Sequence, residues 1–185
     1  MSGPADIRPV QPADIPAITA IYSHYVRTST ASFETVPPGE SEMRRRAAEG
    51  LDRGLPYLVA EAGGQVAGFA YAVPYRPRAA YVRTLESSVY VDHDAAGRGI
   101  GRALMDALIA ECRALGAHRL IAVVGGSDNA PSIALHEKLG FRHAGTFTQA
   151  GFKFGRHVDT VLFELAMDQM SDDRGQKGQH TPSDF

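Results

Sequence analysis

The sequence predicts an α/β fold with a mixed central β-sheet and helices on both faces. Three observations carry this expectation. Helical and strand periodicities alternate along most of the 185 residues. Two short apolar runs, 57–61 and 66–73, flank a double glycine, which marks an antiparallel hairpin. Later strands are separated by helices, which marks α/β crossovers. The predicted order is β-α-α-β-β-β-α-β-α-β-β.

Each element has a local cause. Residues 6–10, DIRPV, read as a first strand. Asp14 then stands as a candidate cap for a helix carrying Ile15, Ile18, Tyr22 and Tyr25 at helical spacing. Residues 38–54, PGESEMRRRAAEGLDRG, form a second, more polar helix. The hairpin follows, turning on AGGQ, and residues 80–91 make a longer strand. Residues 100–115 give the clearest helix, with Ile100, Leu104, Ala107, Leu108 and Leu115 on one stripe. RLIAVVG, 119–125, is too short and too β-branched for a helix and reads as a buried strand. SIALHEKLGF, 132–141, is a short helix stopped by Gly140. DTVLFEL, 159–165, closes as a strand. Residues 1–170 are expected to form one domain. From Ser171 onward the chain is polar apart from Phe185, and 171–185 is expected to be a flexible tail.

Composition narrows the class. The formal net charge is −2, which gives no reason to expect a nucleic-acid partner. No apolar run approaches the roughly 20 residues that span a bilayer. The opening MSGPADIRPV lacks the basic flank and apolar stretch of a secretory signal. Cys112 is the only cysteine, so neither an internal disulfide nor a cysteine-based zinc site is available. No segment has convincing metal-ligand spacing, and no metal is expected. A cytoplasmic location fits these features.

The segment TLESSVYVDHDAAGRGIGRALM, 84–105, carries the functional signal. A carboxylate, Glu86, heads a strand. The strand runs into glycines interleaved with Arg98, Ile100 and Arg102 at the mouth of a helix. The glycines miss the dinucleotide fingerprint, because the sixth position is Arg102 or Leu104 in the two registers. The Gly-Lys-Ser/Thr of a P-loop is absent too. A glycine turn feeding a helix N-terminus still suits an anion, because backbone N–H groups turn inward and the helix end is positive.

The second signal is DNAPSIALHEKLGF, 128–141. Together the two segments resemble the GNAT superfamily of acyl-CoA-dependent N-acetyltransferases. There, a Q/R-x-x-G-x-G/A turn binds the cofactor pyrophosphate. Gly99 and Gly101 match that turn, while Ala96 stands where Gln or Arg is usual. The later pattern N-x-x-[AS]-x-x-[LF]-[YH]-x-x-x-G-F is matched by Asn129, Ser132, Leu135, His136, Gly140 and Phe141. Four separated stretches are similar to the phosphinothricin N-acetyltransferase branch, which includes enzymes for methionine sulfoximine and methionine sulfone. They are TSTASFET, ESSVYV, SIALHEKLGF and AGFKFGRHVD. The similarity runs from about residue 6 to residue 166.

The resemblance implies a GNAT fold with a splayed strand pair that admits acetyl-CoA as co-substrate. The backbone of Val89, Tyr90 and Val91 would then meet the pantetheine arm. Arg98, Gly99, Ile100, Gly101, Arg102 and Ala103 would meet the pyrophosphate, with Asn129 and Ser132 nearby. Glu86 is the candidate general base, directly or through a water. A solvated strand-end carboxylate, or an ion pair with Arg83, is the competing reading. His136, with an unperturbed pKa of about 6.5, is the candidate proton donor or acceptor. It lies between Ile133 and Leu139, so a buried structural histidine is the alternative.

The acceptor implied is a small amino-acid-like molecule whose carboxylate needs a cation. YRPRAAYVR offers Arg76, Arg78 and Arg83, and the resemblance favours Arg78 and Tyr81. Phe33 and Tyr90 would supply apolar wall, and Phe152 and Lys153 a lid or a partner-subunit wall. A homodimer is implied. The competing functions are acetylation of another amine (a polyamine, an aminoglycoside or a protein N-terminus) and a CoA-binding module without turnover.

Overall fold

The computed structural model describes residues 5–167. Seven strands form one sheet in the order β1-β2-β3-β4-β5-β7-β6. They are β1 (Asp6–Pro9), β2 (Tyr57–Ala62), β3 (Gln65–Pro74), β4 (Thr84–Val91), β5 (Arg119–Gly125), β6 (Arg142–Lys153) and β7 (Arg156–Ala166). The helices are α1 (Ile15–Thr28), α2 (Glu40–Asp52), α3 (Ile100–Ala114) and α4 (Ala130–Lys138). Among the described residues only the β4–β5 pair is parallel, with α3 as its crossover, and the other ladders are antiparallel. The sheet is mixed, as the patterns predict.

The two faces hold separate cores. On one, Leu104, Met105, Leu108 and Cys112 of α3 pack against Leu58, Ala70, Leu120 and Phe163 of the sheet. On the other, Ile18, Tyr22 and Val26 of α1 and Met43 of α2 pack against Val59, Phe69 and Tyr90. Burying side chains of this size contributes roughly 1.5–3 kcal/mol each, so both helical layers are held firmly.

Three details differ from the sequence reading. Leu115 does not continue the buried stripe of α3: it follows the last helical residue and is 54% exposed. Residues 80–83 are not strand, because a 3₁₀ turn over Ala79–Tyr81 precedes β4. Asp14 does not cap α1 through its side chain. It accepts the Gln11 N–H at 2.7 Å and a two-pronged bond from Arg8 at 2.8 and 2.9 Å. The guanidinium holds this carboxyl below the usual range. The expected tail, 171–185, lies outside the described residues.

Candidate active site

The parallel ladder between β4 and β5 runs from Thr84↔Arg119 to Ser87↔Ala122 and stops. Both strands continue. β4 stays paired with β3 as far as Val91, and β5 stays paired with β7 as far as Gly125. The two strands therefore part beyond Ser87, and a cleft of about 980 Å³ opens between them. The chain around the end of α1 holds both lips. Tyr25 Oη donates to the Val91 carbonyl at 2.6 Å on the β4 side. Thr30 Oγ1 donates to the Gly125 carbonyl at 2.9 Å on the β5 side.

Val89, Tyr90 and Val91 line the cleft along the freed edge of β4. Without β5 on that side, the backbone of Val89 and the N–H of Val91 are available to an extended, amide-bearing ligand, while the backbone groups of Tyr90 face β3. The glycine turn forms one end. Gly97 and Gly99 both have φ near +80°, a conformation strained for other residues. Gly99, Ile100, Gly101 and Arg102 line the cleft at the start of α3. The Ala103 N–H closes the first helical turn on the Gly99 carbonyl at 3.0 Å, so the N–H groups before it have no partner in the helix ladder. This end suits a pyrophosphate.

Two residues expected here do not line the cleft. Ala103 has its N–H committed to that turn, and Arg98 folds back to donate to the Asp94 carbonyl at 3.1 Å. Across the cleft, Asn129 caps α4 by accepting the Ser132 N–H, and both residues are in the lining with His136.

His136 is buried, edge-on to Phe141 and stacked against Phe163. Its Nδ1 lies 2.8 Å from the Ser132 carbonyl. A carbonyl only accepts, so Nδ1 carries the hydrogen and Nε2 has the lone pair in the neutral ring. Burial pushes the pKa of this imidazole down, opposed by the Ser132 bond. At neutral pH the ring is an acceptor at Nε2, not an acid.

A second cavity, about 400 Å³, lies on the face of β4 that carries Glu86. Tyr22, Tyr57, Tyr71 and Tyr75 supply aromatic wall, and Arg46 and Arg76 supply cations. Burial pushes the Tyr22 phenol up to about 12 and raises Tyr57 and Tyr71 as well, so these hydroxyls stay protonated. Arg46 is already paired, with Glu34 at 2.6 Å and Glu42 at 2.8 Å. Glu86 is half-buried and makes no hydrogen bond or ion pair among the described residues. Desolvation alone raises its pKa. The ion pair with Arg83 does not form, because Arg83 Nε donates to the Gly116 carbonyl at 2.9 Å.

Three residues expected to bind the acceptor line neither cavity: Phe33, Arg78 and Tyr81. The Phe33 ring lies against Gly125 and Gly151, where a β-carbon on either glycine would come within 3 Å of it. Arg78 is exposed, just before the turn at Ala79. Tyr81 meets Tyr75 edge-on at 5.6 Å and so backs a wall residue. Tyr90 is buried between Tyr22, Tyr25 and Phe69. Phe152 is exposed, but Lys153 is buried, its Nζ donating to the carbonyls of Ser29 at 2.8 Å and Ser32 at 2.6 Å. In this chain Lys153 fixes the loop after α1 and forms no lid.

The sequence reading missed the four tyrosines, Ser88 and the loop residues Ser29, Thr30 and Ala31, and it ranked Arg76 below Arg78. Alternation along β4 would have placed Ser88 beside Glu86. The tyrosines come from α1, β2, β3 and the segment after β3, and no local pattern announces their meeting.

Comparison with known proteins agrees with this geometry. Residues 18–141 match the Acetyltransferase (GNAT) family. The phosphinothricin N-acetyltransferase of Alcaligenes faecalis is 56% identical over 158 residues, covering 85% of this chain and 80% of that protein. The L-methionine sulfoximine/L-methionine sulfone acetyltransferase of Pseudomonas aeruginosa is 39% identical over 165 residues, covering 89% of this chain and 95% of that protein. The crystal structure of a phosphinothricin acetyltransferase from Sinorhizobium meliloti in complex with AcCoA superposes with a TM-score of 0.88 at 38% identity, covering 95% of each chain. With its splayed β4–β5 pair and glycine turn, the chain belongs to the GNAT family of acetyltransferases, in the branch of the phosphinothricin and methionine sulfoximine acetyltransferases.

Proposed function

We propose that this enzyme acetylates the α-amine of phosphinothricin, methionine sulfoximine or methionine sulfone, in a detoxifying role. The observation that carries the reading is the placement of an unpaired, desolvated Glu86 in a cavity that also holds Arg76, on the far side of the strand that borders the cofactor cleft. Acetyl-CoA supplies the acetyl group as a thioester. The freed edge of β4 and the first turn of α3 bind and orient it. Arg76 pairs with the acceptor carboxylate. Glu86 takes a proton from the acceptor ammonium, directly or through a water; its raised pKa makes it a better proton acceptor than an exposed carboxylate. His136 offers the Nε2 lone pair to the cleft.

The enzyme is proposed to act as a cytoplasmic homodimer. Support for a dimer comes from β6, an edge strand of 12 residues with Phe147 and Phe152 exposed at 58% and 64%. The buried free thiol of Cys112 suits a reducing compartment. No helix among the described residues is long and apolar enough to cross a membrane.

The test is thiol release from acetyl-CoA with the purified protein. Phosphinothricin, methionine sulfoximine and methionine sulfone are set against common amino acids, spermidine and an aminoglycoside. Fast release with the first three is expected. Preference for spermidine or the aminoglycoside would overturn the acceptor assignment, and acetyl-CoA binding without release would leave a binding module.

A further inference from the structure

Among the described residues, Ser88 alone lines both cavities. It is the first residue of β4 beyond the last pair with β5, so its backbone stands at the point where the cofactor cleft opens. Its side chain points the other way. Ser88 pairs with Tyr71 across the β3–β4 ladder, Glu86 pairs with Val73 and Tyr90 with Phe69, so all these side chains share the acceptor face. The Ser88 hydroxyl interacts with the Tyr71 phenol, and the Glu86 carboxylate is near enough to that phenol to act on it electrostatically. A hydroxyl, a phenol and an unpaired carboxylate thus share one face and one cavity at the boundary between the acyl donor and the amine.

We infer that the Ser88 hydroxyl relays the proton from the acceptor ammonium to Glu86, which makes it a further catalytic residue of the transfer. The inference deepens the function proposed above and rests on it. A serine hydroxyl can accept one hydrogen bond while donating another, which a relay requires. Glu86 receives one proton through Ser88, and Ser88 ends the step unchanged. The nitrogen–carbon bond forms and the carbon–sulfur bond breaks. The second amine proton goes to the departing sulfur, and Glu86 returns its own proton to water. The sum is ammonium plus thioester giving amide, thiol and one proton.

Apart from the Tyr71 phenol, the hydroxyl has no partner among the described residues. Its neighbour Ser87 donates to the Ile121 carbonyl at 3.2 Å and serves the ladder to β5. Ser88 is only partly buried, and no backbone acceptor among the described residues engages its hydroxyl.

The test compares wild type with Ser88→Ala, Ser88→Thr and Glu86→Gln, using phosphinothricin as acceptor. Ser88→Ala is expected to lower kcat about 10- to 100-fold, with the acetyl-CoA KM within about twofold, since the Ser88 side chain stands on the face with Glu86. Ser88→Thr keeps the hydroxyl and should recover most of the loss. Adding Ser88→Ala to Glu86→Gln should cost little more than Glu86→Gln alone, because the two act as a unit. In mixed H₂O and D₂O, the wild-type rate should curve with deuterium content and the Ser88→Ala rate should not. A Ser88→Ala enzyme with wild-type kcat and the same isotope curve would overturn the relay while leaving the acetyltransferase reading intact. So would a Ser88→Thr enzyme as slow as Ser88→Ala. A wild type that turns over none of the amino-acid acceptors would overturn the function itself. If Ser88→Ala does not fold, Ser88→Cys takes its place, and undiminished kcat there counts against the relay.

Discussion

Thr30 and Gly125 are locked together at one lip of the cofactor cleft. The threonine hydroxyl donates to the glycine carbonyl at 2.9 Å, and a β-carbon on Gly125 would stand 1.9 Å from the Thr30 carbonyl oxygen. The two chains can pass this closely only without a side chain at 125. Gly125→Ala should therefore push the loop off β5 and destabilise the fold by about 1–3 kcal/mol or more. Because Ser29, Thr30 and Ala31 line the cleft, the acetyl-CoA KM should rise as well. Thr30→Ser keeps the hydroxyl and should stay close to wild type. Thermal unfolding and the acetyl-CoA KM, measured on both variants, check the pair.

His136 should make stability depend on pH in mildly acid solution. Burial lowers the folded-state pKa of this imidazole below its ordinary value of 6.5. Between the two values the unfolded chain binds more protons than the folded one, so stability rises with pH there. The contribution is fully present above about 6.5 and is lost as the pH falls through the folded value. His136→Asn cannot titrate and should show a flatter melting curve between pH 5 and 7. Nitrogen NMR of the wild type at pH 7 should find Nδ1 protonated and Nε2 bare. A protonated Nε2 at that pH would restore the ring as a proton donor.

The fold was legible because its causes are local. Periodicity located α1 and α3, the double glycine located the β2–β3 hairpin, and the glycine turn located the start of α3. The strand-turn-helix wall of the larger cleft was legible for the same reason, since Val89 to Arg102 is one continuous segment. Its two exceptions, Arg98 and Ala103, are residues whose polar groups the turn itself consumes. The smaller cavity was not legible beyond Glu86 and Arg76. Its walls come from Tyr22, Arg46, Tyr57, Tyr71 and Arg76, brought together by ladder register and helix packing. Leu115 failed for a smaller reason: the stripe has the right period, but the helix ends one residue too soon.

Arg76 and Arg78 separate two readings of the acceptor site. Arg76 lines the cavity with Glu86, and its guanidinium lies over the Tyr75 ring at 5.1 Å. Arg78 lines neither cavity. Losing a charge-assisted pair with the acceptor carboxylate should raise the acceptor KM about tenfold or more. That loss is expected for Arg76→Ala, with kcat largely kept. Arg78→Ala should change the acceptor KM no more than about twofold. The reverse ranking in steady-state kinetics would return the carboxylate site to Arg78.

Glu86 carries a conflict between stability and function that one substitution exposes. The carboxylate is half-buried without a partner, and desolvation raises its pKa. The folded chain therefore holds the Glu86 proton more tightly than the unfolded chain, and ionisation at neutral pH costs stability. The penalty is absent below the ordinary value of 4.5, where both states are protonated, and grows as pH rises through the folded value. Glu86→Gln keeps the shape and removes the charge. It should melt a few degrees higher than wild type at pH 7 and show little advantage at pH 4. The same variant should lose about 10²- to 10⁴-fold in turnover at neutral pH, since its amide takes no proton from the acceptor. The loss should shrink at alkaline pH, where the acceptor amine deprotonates in solution. Acetyl-CoA binding should be unchanged, because Glu86 does not line that cleft. A variant that is stabilised yet fully active at pH 7 would leave Glu86 a buried carboxylate without a catalytic task, and the proton would have to leave by another route.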